Sequence, residues 1–155
     1  MSEILVMDPI NSWDRYFLEI AKTVSTRGTC PRLKVGSVIV RNRNILSTGY
    51  NGSIRGSEHC VDSGCYLVDN HCVRTVHAET NAILQAAKNG TNIDGADAYV
   101  THSPCINCLK HLLNAGIHCI VWDKQYGSQH PADLLLKLGV NWSRTEHSVS
   151  AFYKC

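Results

Sequence analysis

Residues 76–87 read VHAETNAILQAA. Ala82, Ile83, Ala86 and Ala87 recur at helical spacing, and Asn89-Gly90 follows as a stop, so the pattern predicts a helix from about His77 to Lys88. That helix opens on two ionisable side chains, His77 and Glu79, placed two positions apart. A structural helix start needs neither group.

Working outward, LKVGSVIV (33–40) is β-branched and mostly apolar, RNRN supplies a turn, and ILSTGYNG (45–52) follows, which together read as a two-stranded hairpin. Trp13, Phe17, Leu18, Ile20, Ala21 and Val24 place an earlier helix over Ser12 to about Thr26, with Ser12 as N-cap. Residues 53–76 form a cysteine-rich insertion without sustained periodicity. Downstream, ADAYVTHS (96–103) reads as a strand. PCINCLKHLLNAG (104–116) reads as a helix with Pro104 in its first turn and Gly116 at its end, and HCIVW (118–122) as another strand. A loop at 123–130, a helix PADLLLKLG (131–139) and a last strand around Val140 to Trp142 complete an α/β alternation, which favours a central sheet flanked by helices. Neither a linker nor a repeat divides the chain, so residues 1–155 are expected to form one domain.

The apolar share of 44% and charged share of 18% fit a globular protein. A formal charge of only +2 gives no basic field for duplex nucleic acid. The N-terminus MSEILVMDPINSWDR has no basic leader, and no stretch approaches the roughly 18 apolar residues that span a bilayer, so a cytoplasmic protein without membrane partners is expected. In a reducing compartment, cysteines clustered beside histidines point to metal rather than to disulfides.

His77, with Cys105 and Cys108 following 28 and 31 positions later, supplies three ligands of the type zinc accepts. Three protein ligands leave one tetrahedral position for water, the mark of a reactive centre. Cysteines in the first turn of a helix feel its positive end, which lowers their thiol pKa, and a bound zinc brings the pKa of its water toward neutrality. Glu79 is placed to shuttle protons beside that water. His77-Ala78-Glu79 followed by Pro104-Cys105-Ile106-Asn107-Cys108 has the H-x-E…P-C-x-x-C order of zinc nucleobase deaminases.

Further stretches extend this likeness over nearly the whole chain: CPRLKVGSVIV, STGYNGSIRGSEHC, HCVRTVHAETNAIL, YVTHSPCINCLKHLLNAGI and WDKQYGSQH. Together they resemble the deoxycytidylate deaminases of the cytidine deaminase superfamily. The resemblance implies a three-layer α/β/α fold around a mixed five-stranded sheet, and zinc-dependent hydrolysis of dCMP to dUMP and ammonia on the route to dTTP. It implies Glu79 as the proton shuttle and His77, Cys105 and Cys108 as zinc ligands. Asn51 is implied to contact the sugar, the backbone at Ser103 the exocyclic amine, and Tyr126 the pyrimidine face. Lys34, Arg55, Arg74 and Lys124 are candidates for the 5′-phosphate. The resemblance further implies activation by dCTP and inhibition by dTTP with Mg2+ at a site that includes Gly49, Tyr50, Asn51 and Gly52, and a homohexamer.

Some relatives carry a second, structural zinc. Cys30 and Cys60 match two of its ligand positions, whereas Leu67 and Thr75 stand where that pattern has a histidine and an acid. Cys65, His71 or Cys72 could complete the set, with Cys30, Cys60, His71 and Cys72 as one candidate group. Cys119 reads as a core residue in an apolar strand, and Cys155 has no assigned role. His59, His102, His111 and His118 receive no functional assignment.

Overall fold

The computed structural model describes residues 13–128, 131–139, 145–146 and 152–153. Ser12, the strand expected at 140–142 and Cys155 lie outside them.

In chain order, helix α1 (Trp13–Ser25) leads into the hairpin β1 (Gly36–Arg41) and β2 (Asn44–Tyr50). The insertion then runs through β3 (Gly52–Ser53), α2 (Cys60–Ser63), β4 (Leu67–Val68), β5 (His71–Cys72) and β6 (Thr75–Val76). After it come α3 (Ala78–Lys88), β7 (Asp97–His102), α4 (Ile106–Asn114), β8 (Cys119–Lys124), α5 (Pro131–Lys137), β9 (Thr145–Glu146) and β10 (Phe152–Tyr153). The main sheet has the order β2-β1-β7-β8-β10-β9. Its β7–β8 pair is parallel and the other described pairs antiparallel, so the sheet is mixed. It holds six strands among the described residues, where five were expected, because β9 and β10 add a short edge beyond β8.

Strand alternation builds the three layers. Val38, Val40, Tyr99, Cys119 and Val121 face one way and pack on Phe17, Leu18 and Ala21 of α1. Ile39, Ala98, Val100, Ile120 and Trp122 face the other way, onto Ala82 and Ala86 of α3 and Leu109 and Leu112 of α4. The hairpin turn falls on Asn42 and Arg43, at φ 51° and 63°, the left-handed pair that matches the twist of two antiparallel strands.

One glycine sets how closely α3 sits on the sheet. A Cβ at Gly49 would collide with the Ala78 carbonyl and the Ala82 backbone, so β2 and the first turns of α3 touch main chain to main chain.

The insertion is more ordered than its sequence suggests. β3 pairs with β6 and so closes its base, while β4 and β5 form a small hairpin turning at Asp69 and Asn70. The base delivers the chain directly to His77. Because the β7–α4–β8 crossover joins parallel strands, the carboxyl ends of both strands open on one side of the sheet, where such folds place ligands.

Candidate active site

His77 is the N-cap residue of α3 and Cys105 that of α4; both have extended backbone and neither side chain caps its helix. Pro104 therefore precedes the cap rather than occupying the first turn. The two side chains turn toward each other instead. His77 Nδ1 lies 3.6 Å from Cys105 Sγ and 3.4 Å from Cys108 Sγ, and the three donor atoms all fall within 4.8 Å of one another. With Zn–S near 2.3 Å and Zn–N near 2.0–2.1 Å, a tetrahedral N···S edge measures roughly 3.6 Å. The spacing and the donor types fit a zinc ion.

The electrostatics agree with that fit. A hydrogen bond from Cys108, reinforced by His77, holds the Cys105 thiol well below the ordinary range, while the hydrogen bond to Cys105 and burial push Cys108 up. A dication between the sulfurs would favour the thiolate form of both. Glu79, 4% exposed in the first turn of α3, is pushed up to about 7 by burial. A carboxyl poised there exchanges protons near neutrality.

His77, Glu79 and Cys105 line a cavity of about 840 Å³ with Asn51, Ser103 and Tyr126, while Cys108 is buried. Ser103 follows β7 directly; its N–H donates to the Lys124 carbonyl at 2.8 Å, and its Oγ accepts from the Tyr126 N–H at 2.6 Å. The hydroxyl therefore holds the loop after β8 against the cavity, with the Tyr126 ring half exposed at the mouth. Asn51 is buried, and its amide is engaged with the neighbouring loop: Oδ1 accepts from Val35 N–H at 2.8 Å and Nδ2 donates to the Leu33 carbonyl at 2.7 Å.

The family described as the cytidine and deoxycytidylate deaminase zinc-binding region matches residues 11–124. The chain belongs to this family. As a family member it is 47% identical over 137 residues to ComE operon protein 2 of Bacillus subtilis, a match covering 87% of this chain and 72% of that protein. It is 34% identical to the deoxycytidylate deaminase of Enterobacteria phage T4, with 79% of this chain and 84% of that one covered. Among solved structures, the dCMP deaminase of cyanophage S-TIM5, in complex with dCMP and dUMP, superposes with a TM-score of 0.70 at 34% identity, covering 81% of this chain and 91% of that one. The zinc of the family name accords with the His77, Cys105 and Cys108 donor set.

Lys34, Arg55, Arg74 and Lys124 are not among the residues lining the active-site cavity. Among the described residues, Arg32 is the only lysine or arginine that lines it; the guanidinium donates to the Asn70 carbonyl at 3.4 Å. Sequence reasoning missed Arg32, although it stands inside the quoted stretch CPRLK. His102 also lines the cavity, beside Thr101 Oγ1 at 2.9 Å. Arg55 lies on a second cavity of about 760 Å³ with Gly49, Tyr50, Gly52, His59 and Lys88. Asn51 lines the first cavity and not the second.

In the insertion the structure gathers Cys60, Cys65 and Cys72, with Cys60 and Cys72 Sγ 3.6 Å apart. Cys30 is near enough to influence the Cys60 thiol electrostatically. His71 is not part of the group. Adjacent residues of a strand point to opposite sides, so His71 and Cys72 diverge on β5. Although burial opposes it, backbone hydrogen bonds from Arg74 and Tyr66 lower the Cys72 thiol to about 6. Cys119 is buried in β8.

Proposed function

We propose that this chain hydrolyses dCMP to dUMP and ammonia, supplying dUMP for dTTP synthesis. The observation that carries this reading is the convergence of His77, Cys105 and Cys108, with His77 and Cys105 on a cavity wall that also holds the buried carboxyl of Glu79. Zinc held by those three side chains supplies a Lewis acid that brings the pKa of water toward neutrality. Glu79 takes one proton from the attacking water and passes it to N3 of the cytosine, then takes the second from the new C4 hydroxyl and delivers it to the amine, which departs as ammonia as the C4–N bond breaks and the C4 carbonyl forms. The backbone at Ser103 receives the exocyclic amine. Tyr126 covers the pyrimidine face from the loop that Ser103 holds in place. Asn51, fixed by its bonds to Leu33 and Val35, retains one amide hydrogen and one lone pair for the sugar. Arg32 supplies the cation for the 5′-phosphate.

The second cavity supports a regulatory nucleotide reading. Gly49, Tyr50 and Gly52 line it with His59 and with Arg55 and Lys88, a cationic pair suited to the triphosphates of dCTP as activator and dTTP as inhibitor, each with Mg2+. Asn51 stands between the cavities, its side chain in the first and its neighbours in the second, a short route for coupling. Tyr50, Ile54 and Leu84 are exposed around this cavity and suit burial against further copies in a homohexamer. Cys60, Cys65 and Cys72, with Cys30 beside them, suit a second, structural zinc that orders the insertion. We read the whole chain as one cytoplasmic deaminase domain; among the described residues no helix is long and apolar enough to cross a membrane.

An ultraviolet assay with dCMP, CMP, cytidine and single-stranded DNA, run with and without dCTP or dTTP and magnesium, tests the reading. Turnover of dCMP above the others, raised by dCTP and lowered by dTTP, is the expected result. Preference for cytidine or the polynucleotide would overturn the substrate, and insensitivity to both triphosphates would remove the regulatory site.

A further inference from the structure

We propose that Thr80 is a positioning residue for the sulfur of Cys108, the middle member of a hydrogen-bonded row running from His111 through Thr80 to Cys108. The inference rests on the reading above that Cys108 is a zinc ligand. Thr80 lies in the first turn of α3 directly after Glu79, and its Oγ1 is 3.7 Å from Cys108 Sγ and 3.2 Å from His111 Nδ1. Cys108 and His111 are three residues apart on α4, so a single hydroxyl from the neighbouring helix reaches both. Thr80 is half-buried between the helices and His111 is exposed at the outer end.

The state of the sulfur fixes the direction of both bonds. A metal-ligating thiolate has no proton to give, so at Cys108 the Thr80 hydroxyl is the donor. That hydroxyl has one hydrogen, so toward His111 it accepts, and His111 carries its proton on Nδ1. His111 thereby orients the Thr80 rotor, and the Thr80 O–H draws charge from the sulfur and holds its lone pairs toward the metal position. Outer partners of this kind orient metal ligands and tune their donor strength.

Thr80→Val removes the hydroxyl at nearly constant volume, Thr80→Ser keeps it, and His111→Ala removes the outer partner from an exposed position. The readouts on the full-length protein are the zinc dissociation constant by chelator competition and the thiolate-to-metal charge-transfer band of the Co2+-substituted form. Thr80→Val should weaken zinc binding about 10-fold and move the band, Thr80→Ser should restore both, and His111→Ala should move both in the same direction by less. A folded Thr80→Val protein with wild-type affinity and an unmoved band would overturn the inference, as would a serine variant no better than valine. Should the valine variant fail to fold, an unmoved band and unchanged affinity in His111→Ala overturn it instead. Wild-type protein that binds no zinc at this centre would overturn the metal-site reading itself, a result distinct from these.

Discussion

Nδ1 of His77 lies 3.4 Å from Sγ of Cys108, although 31 positions separate the two residues in the chain. Two helix starts create that meeting: α3 begins where the base of the insertion ends, and α4 begins where β7 ends. Packing of both helices on the same face of the sheet sets their separation, through Ala82, Ala86, Leu109 and Leu112. The donors are therefore held by the hydrophobic core and not by a flexible loop.

Arg32 carries the substrate phosphate in this account. Arg32→Ala should raise KM for dCMP roughly 10-fold or more with little change in kcat, since a charge-assisted hydrogen bond contributes about 1.5–3 kcal/mol. Deoxycytidine, which lacks the phosphate, should be turned over no worse by the variant than by wild type. Steady-state kinetics on both substrates decides it, and an equal loss on both would assign Arg32 to the shape of the cavity.

Gly49 and Gly52 should separate packing from nucleotide binding. A methyl at Gly49 meets the main chain of α3, so Gly49→Ala should cost about 1–3 kcal/mol in denaturant unfolding and lower kcat by displacing Glu79. At Gly52 the added carbon would find the Thr29 hydroxyl at 3.4 Å, an ordinary contact, so Gly52→Ala should keep its stability while altering the response to dCTP. Equal stabilities of the two variants would contradict the packing role of Gly49.

His102 makes stability depend on pH. Burial, followed by the charge of Lys124, lowers its pKa in the folded protein. The unfolded chain therefore takes up a proton first as pH falls through about 6.5, so the folded state loses stability on the acid side of that value and levels off below the folded pKa. Denaturant midpoints of wild type and His102→Gln between pH 8 and pH 5 should diverge, with wild type falling more steeply. Parallel curves would show that His102 titrates alike in both states.

The parts of this site carried by short spacings were legible in the sequence. His77-Ala78-Glu79 and Cys105 to Cys108 each lie within a single turn of helix, and stop signals at Asn89-Gly90 and Gly116 bound those helices. The hairpin was equally plain, because Asn42 and Arg43 interrupt two β-branched runs. What the sequence hid depends on pairing between distant segments. Arg32 reaches the cavity because its loop is tied to Asn51, sixteen to eighteen positions away, and nothing local marks it. The companionship of Cys65 with Cys60 and Cys72 depends on the β4–β5 register, which two-residue strands do not announce. The sixth strand arises from segments of two residues, too short to show alternation.

Replacing Glu79 with glutamine, with zinc content and dCMP turnover measured on the same sample, tests the central claim most directly. The shuttle account predicts a Glu79→Gln protein that keeps its zinc at the His77, Cys105 and Cys108 centre and loses turnover by about 10²–10⁴-fold. Turnover at the wild-type rate in the zinc-loaded variant would contradict it.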